Sequence, residues 1–334
     1  MEFMLAESLD TAQNPKFDDE KMKILDELEK RGDTVCEKKK DGSRVGIGRE
    51  NGKITIPNRR GVDYARQKNV PELIQIANAL PDGTFLDGEA TALCNPANCP
   101  HMNGKEKKCL YPCPGRECRI FGQRRMGTTT LSKVWTLEKL IPIQFEPFDI
   151  LRYRGEDVEK KPFLERKDLL KEIVEEMSLP SVQLVWHQKS GFKELFKTEM
   201  EGVMLKKTWA RYLHDRVRYW MKCKHTHRKI GSVVGFTEGQ GKNASLWGSL
   251  VLVKDERVIG RCGGGFTDLE RQQIKQQFLT DKHSTYDTFW RRWIKHVNKP
   301  WTAVKTNLQI EVLYQEESKF GIMYAPRKFS ILEP

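Results

Sequence analysis

Long apolar runs are missing from this chain of 334 residues. No stretch approaches the roughly 20 apolar residues that a membrane-spanning helix needs, and runs such as Leu250–Val253 are broken by charge, here Lys254. The opening residues, MEFMLAESLD, have no basic start followed by an apolar run, so the pattern of a secretory signal is absent. Internal repeats and low-complexity tracts are absent too. The expectation is an intracellular protein, cytoplasmic or nucleoid-associated, with no membrane partner. Acidic charge is the scarcer sign: 46 Asp+Glu face 58 Lys+Arg, for a net charge of +12. Such a surplus favours a polyanionic partner, nucleic acid first. It is uneven, with eight Lys/Arg against two Glu from His101 to Lys133 and 17 against 11 acids from His227 onward.

The length suits two domains. Of the eight cysteines, Cys36, Cys223 and Cys262 are scattered, while Cys94, Cys99, Cys109, Cys113 and Cys118 fall together. A secreted disulfide scaffold would be shorter and more evenly stapled, so the cluster reads as metal ligation in a reducing cell. A structural zinc takes four tetrahedral ligands, and four of the five clustered cysteines are expected to hold one, with an iron–sulfur cluster, free thiols or a disulfide as the alternatives. The pairs Cys94/Cys99 and Cys113/Cys118 come first and Cys109 close behind. His101 reads as a surface residue.

Apolar residues at Met22, Ile24, Leu25 and Leu28 have helical spacing and predict a helix over 18–31, with Asp18 or Asp19 as N-cap and Gly32 as the stop. A proline-started helix is expected over 71–80 and another from Leu164 to Met177. Strand-like runs occupy 34–48, around the charged turn EKKKDGSR, and then 83–86, 141–153, 200–207 and 216–224. Beyond Thr226, glycines punctuate short β runs. Strands dominate and helices are interspersed, so the fold class is α+β followed by a small β domain.

The sharpest chemical feature is Lys39-Lys40-Asp41-Gly42-Ser43-Arg44. A lysine amine is a nucleophile only when neutral, a form that neighbouring cations or burial favour, and Lys38 and Lys40 flank Lys39 with like charge. Gly42 permits a tight turn close to a ligand, and Arg44 offers a planar donor fork for phosphate or ribose oxygens. Leu86-Asp87-Gly88-Glu89, Glu201-Gly202-Val203-Met204-Leu205-Lys206 and Trp220-Met221-Lys222-Cys223-Lys224 follow. Each places acid or base at a strand end. Two carboxylates can hold a divalent metal, and alternate lysines of a strand share one face.

In this order, KKDGSR, FLDGEA, EPFDILRY, EGVMLK and WMKCK resemble the motif series of the ATP-dependent DNA ligases of the covalent nucleotidyltransferase superfamily. Asn58-Arg59-Arg60-Gly61 is similar to a further family element. The barrel signatures at Val234-Gly-Phe-Thr-Glu-Gly-Gln-Gly and Gly264-Gly-Phe-Thr-Asp extend the likeness past Thr226. The resemblance implies a nucleotidyltransferase (adenylation) domain over 1–226, carrying the Cys-rich insertion at 94–126, and an oligonucleotide-binding (OB-fold) barrel over 227–334. It implies an enzyme that seals nicked duplex DNA as a monomer, using ATP and Mg2+ or Mn2+; the structural zinc is expected from the cysteine cluster alone.

Residue by residue, the resemblance implies Lys39, with Asp41, Lys222 and Lys224, as the catalytic set. Lys39 would carry AMP, and Lys222 and Lys224 would neutralise the α-phosphate. Glu37 and Lys38 would line the adenine side, Arg44 would face ribose and phosphate, and Phe148 would stack on adenine. Arg59 would grip the nick 5′-phosphate, Glu89 and Glu201 would serve ribose and metal, and Arg216 or Arg218 would stand near the phosphates. Tyr324 stands where the family's last motif has Arg, which leaves Arg327 or Lys328 to meet pyrophosphate.

The insertion's charge predicts DNA contacts through Lys107, Lys108, Arg124 and Arg125. Phe289, Trp290 and Trp293, at helical spacing, read as core. The rivals are an RNA ligase or mRNA-capping guanylyltransferase of the same superfamily and, from another class, a non-catalytic zinc and nucleic-acid-binding module. Nothing but one short helix precedes the first motif, which disfavours an NAD-dependent ligase.

Overall fold

The structure is a computed structural model that describes residues 2–9, 16–67, 69–92, 125–140, 142–199, 201–283, 299–317, 321–324 and 326–332. The five clustered cysteines, His101, Lys107, Lys108 and Arg124, and Phe289, Trp290 and Trp293 lie outside these residues. The chain divides into two units. Among the described residues, one holds 2–9, 19–92 and 125–224, and the other holds 16–18 and 225–332.

The first unit begins with Leu5–Ser8 (β1), Asp18–Arg31 (α1), Thr34–Lys38 (β2), Ser43–Glu50 (β3) and Lys53–Thr55 (β4). Tyr64–Gln67 (α2), Pro71–Ala79 (α3), Thr84–Ala92 (β5), Leu131–Leu140 (α4), Ile143–Tyr153 (β6) and Glu156–Asp157 (β7) follow. Phe163–Met177 (α5), His187–Gln188 (β8), Phe192–Thr198 (α6), Val203–Lys207 (β9) and Arg216–Cys223 (β10) complete it. Helix α1 ends where expected, at Gly32 with φ +71°, a conformation that glycine adopts without the strain a Cβ imposes.

Two five-stranded sheets result, in the orders β1-β10-β9-β2-β8 and β4-β3-β5-β6-β7. All pairings are antiparallel except β1 with β10. Strands β2 and β3, one continuous run in the sequence, belong to different sheets, so residues 39–42 form the passage between them. Apolar side chains from both sheets meet in one cluster: Val35 and Trp220 from the first, and Phe85 and Leu151 from the second, with Met4 just before β1. On its other face the second sheet packs on α3 and α5 through Ile47, Leu73, Ile76, Leu170 and Ile173. Burial of this kind contributes about 25 cal/mol per Å2 of apolar surface.

In the second unit the strands are His227–Glu238 (β11), Trp247–Lys254 (β12), Arg257–Cys262 (β13), Lys282–His283 (β14), Thr302–Val304 (β15) and Gln309–Tyr314 (β16), then Glu316–Glu317 (β17), Met323–Tyr324 (β18) and Arg327–Leu332 (β19). Among the described residues, an α-helix at Asp268–Phe278 (α7) starts in a capping box. The Thr267 hydroxyl accepts from Glu270 N at 3.2 Å, and Glu270 in turn accepts from Thr267 N at 2.8 Å. Seven strands form one antiparallel sheet in which the long β11 pairs with β12, β15 and β16. Trp247, Leu250, Leu252, Val304 and Ile310 fill the core against it. Among the described residues no helix is long and apolar enough to cross a membrane.

Candidate active site

Because β2 leaves one sheet and β3 enters the other, Lys39 sits where the two sheets part. A cavity of about 440 Å3 opens there, a size suited to a small-molecule ligand. Among the described residues, nine lysines and arginines line it against the carboxylates of Glu37 and Glu89. Such a lining suits a polyphosphate.

Two glycines allow the backbone to pass this closely. At Gly42 a Cβ would lie 2.2 Å from Ala90 O, and at Gly202, with φ +96°, it would lie 2.1 Å from Cys223 O. The Gly202 carbonyl accepts a hydrogen bond from Lys39 N at 3.1 Å. That bond ties the charged passage to the turn that carries Glu201.

Each lysine of the passage faces its own carboxylate. Lys38 Nζ is 3.0 Å from Glu199, Lys39 Nζ is 3.1 Å from Glu201 Oε1, and Lys40 Nζ pairs with Glu146. The like charge expected beside Lys39 is therefore compensated on both sides. The Glu201 oxygen that meets Lys39 also lies 2.7 Å from Lys224 Nζ. Lys222 lines the same cavity, and its pKa is lowered by burial first and then by Lys224, Arg216, Lys39 and Arg59. A cation held among cations is stabilised when phosphate enters.

Glu89 lies directly across from Arg44 in the β3–β5 ladder and accepts from Gly42 N at 3.2 Å. Loss of hydration pushes its carboxyl up to about 7, with Lys39 and Arg44 opposing the shift. Arg44 does not hang free in the cavity. Its Nε donates to Asp87 Oδ1 at 3.0 Å, its Nη2 to Asp87 Oδ2, and its Nη1 to Met4 O at 2.6 Å. Tyr212 donates to the same buried Asp87 at 2.7 Å. A guanidinium fixed in this way presents one orientation to a ligand.

Phe148 lines the cavity from β6 and meets Trp220 edge to face at 5.9 Å. Arg59 reaches the cavity from a turn built by Asn58, whose Oδ1 accepts from Arg60 N at 2.8 Å and from Val62 N at 3.0 Å.

Glu37 holds two cations that no local pattern assigns to it, Lys167 and Lys206, each at 2.6 Å. Burial lowers the pKa of Lys206 to about 8, and its ammonium lies 4.7 Å from the Phe148 ring centre and 4.2 Å from that of Trp220. Lys206 closes the EGVMLK run and was visible there; Lys167, on α5, carries no motif.

Of the residues expected at this site, the cavity lining gathers Glu37, Lys38, Lys39, Arg44, Arg59, Glu89, Phe148, Arg216, Lys222 and Lys224, with Glu201 touching Lys39. Asp41 is partly buried and is not among the lining residues. Arg218 is excluded from it too, its side chain 89% exposed and directed to Glu7 at 3.3 Å. Arg125 is a correction. Its guanidinium is fully buried, donating to Glu72 and to Asn69 O at 2.7 Å each, so it is a core ion pair and not a DNA contact. In the second unit Lys328 is bonded to Glu270 at 2.6 Å.

The chain is similar to known DNA ligases. A DNA ligase of Thermococcus fumicolans is 25% identical over 332 residues, covering 92% of this chain and 53% of the relative. A DNA ligase of Thermococcus onnurineus is 29% identical over 257 residues, covering 72% and 42%. The chain spans about half the length of the curated relatives it matches. A solved Lig E DNA ligase superposes with a TM-score of 0.57 at 14% identity, covering 99% of both chains. That likeness concerns the fold, an α+β nucleotidyltransferase domain with an oligonucleotide-binding domain. Matched by the ATP dependent DNA ligase domain model over residues 4–224, the chain belongs to the ATP-dependent DNA ligase family.

Proposed function

We propose that this chain seals nicks in duplex DNA through a covalent lysyl-AMP. The observation that carries the reading is the Lys39 amine, 3.1 Å from Glu201, at a cavity lined by nine cations. The Lys39 ammonium first gives up a proton, for which Glu201 is the acceptor in hydrogen-bonding reach. The amine then attacks the α-phosphorus of ATP, forming a P–N bond as the bond to pyrophosphate breaks. Lys222 and Lys224 offset the charge that builds on the α-phosphate oxygens, the kind of positioning on which phosphoryl transfer depends. Phe148 offers an aromatic face to adenine, and Arg44, locked by Asp87, serves the ribose and phosphate.

In the second step the 5′-phosphate of the nick, held by Arg59, takes AMP. The P–N bond breaks and Lys39 regains its amine. The 3′-hydroxyl finally attacks the activated 5′-phosphate, closing the strand and releasing AMP.

The family implies ATP and a divalent metal. Mg2+ is usually held by one or two carboxylates and completes its shell with substrate phosphates and water, and Mg2+ or Mn2+ would be the ion here. Glu89 and Glu201 are the carboxylates in place, and the metal would supply charge neutralisation at the phosphates. In the insertion, four of Cys94, Cys99, Cys109, Cys113 and Cys118 would bind zinc, and Lys107, Lys108 and Arg124 would grip duplex phosphates. Residues 1–226 would act as the adenylation domain and 227–334 as the OB-fold domain.

Sealing assays on nicked DNA, RNA-containing nicks and single strands, each with ATP, GTP or NAD, test the reading. The expected result is closure of nicked duplex DNA with ATP. Joining of single-stranded RNA alone, or transfer of GMP alone, would assign the chain to another branch of the superfamily.

A further inference from the structure

The second unit contains a group of ligating side chains that nucleotidyl transfer does not use. Among the described residues, Asp18, His225 and His227 form the group of three or more His, Cys, Asp or Glu whose ligand atoms all lie within 4.8 Å of one another. His227 opens β11 and His225 lies two residues before it, in the link from β10. Their rings are parallel, with centres 6.1 Å apart.

The opposing carboxylate is held in place by Thr226 and His225. Asp18 Oδ1 accepts from Thr226 N at 3.2 Å, and Oδ2 lies 2.7 Å from His225 Nδ1, across 207 residues of sequence. Asp18 and His225 are partly accessible, and His227 is exposed, so an ion can reach the group from solvent.

We propose that Asp18, His225 and His227 bind a divalent transition-metal ion of the zinc class, each giving one ligand atom and leaving the remaining positions to water. Two imidazole nitrogens and one carboxylate oxygen suit Zn2+, Co2+ or Ni2+. Mg2+ and Ca2+ prefer all-oxygen shells. The site is separate from the zinc expected on the clustered cysteines, because its donors are nitrogen and oxygen. It is also separate from the divalent ion that accompanies ATP, because it shares no residue with the cavity lining. The bound ion fastens residue 18 to residues 225–227, and both segments adjoin points where the chain passes from one unit to the other.

An ion pair between Asp18 and His225 accounts for two of the three residues without any metal, and the His227 ring lies 5.4 Å from that of Tyr314; His227, which stands outside that ion pair, is the member whose replacement separates a metal site from the pair alone. The test is therefore a Co2+ titration of the metal-stripped full chain, followed by visible absorption and equilibrium dialysis, beside His227→Gln and His225→Ala/His227→Ala. Thiolate ligation gives intense near-ultraviolet charge transfer, so cobalt bound at the cysteines is counted apart from cobalt bound to nitrogen and oxygen. The wild type is expected to take up one equivalent more than the double variant, visible as weak d–d bands without added charge transfer. His227→Gln, a change at an exposed position, is expected to weaken that equivalent at least about tenfold while far-ultraviolet circular dichroism stays unchanged. Equal cobalt uptake and equal affinity in wild type and His227→Gln would overturn the proposal and leave the Asp18–His225 pair as a structural contact.

Discussion

Lys39 and Glu201 face each other at 3.1 Å, and the Glu201 oxygen that meets Lys39 also binds Lys224 at 2.7 Å. On the proposed reading, one carboxylate thus stands between the nucleophile and a cation that would neutralise phosphate. As ATP enters, its phosphate can draw Lys224 away, leaving Glu201 to accept the proton of Lys39. Glu201→Gln keeps the shape and removes the proton acceptor. Self-adenylation should slow by about 10²-fold or more, measured as the single-turnover rate of protein–AMP formation. An unchanged rate would remove Glu201 from the proton path.

Glu89 makes the protein's stability depend on pH in a stated direction. Its folded pKa, about 7, lies above the ordinary 4.5, so the folded state holds a proton that the unfolded chain has already released. The resulting stabilisation is fully present below pH ~4.5 and is lost as pH rises through about 7. Glu89→Gln keeps an acceptor for Gly42 N and needs no ionisation. It should match the wild type in thermal midpoint near pH 5 and exceed it near pH 8, where the difference in stability should be on the order of 2 kcal/mol. Parallel midpoints across that range would refute the raised pKa.

Gly202 lies beside Glu201 and donates no side chain, but a methyl group there has nowhere to go. With φ +96° and a Cβ 2.1 Å from Cys223 O, Gly202→Ala forces β9 away from the end of β10. The cost should be roughly 2 kcal/mol or more in urea unfolding. Protein–AMP formation should fall as well, because Lys39 N is bonded to Gly202 O. Wild-type stability in this variant would show that the strands can part without penalty.

What could be read from the sequence followed from spacing. Apolar periodicity placed α1 over the residues it occupies, and the ordered motifs placed Lys39, Glu89, Lys222 and Lys224 at one cavity. Partnerships across long separations were not readable. Arg125 looked like one more cation of a basic stretch, because nothing local shows that Glu72 waits 53 residues away to bury it. Lys167 was one of several charges on an amphipathic helix, and only the packing of α5 brings it to Glu37. Strand β1 was not foreseen. Its four residues resemble any short loop until the parallel pairing with β10 gives their backbone groups partners. The distinction between Arg216 and Arg218 also needed coordinates, since either could have faced the phosphates.

The most direct test of the account is incubation with α-labelled ATP and a divalent metal, followed by denaturing electrophoresis and peptide mapping, for the wild type and Lys39→Ala. The account predicts one covalent AMP per wild-type chain, mapped to Lys39. It predicts none on the variant, which should still close a nick supplied already adenylated. Label on another residue, or normal labelling of Lys39→Ala, would contradict it.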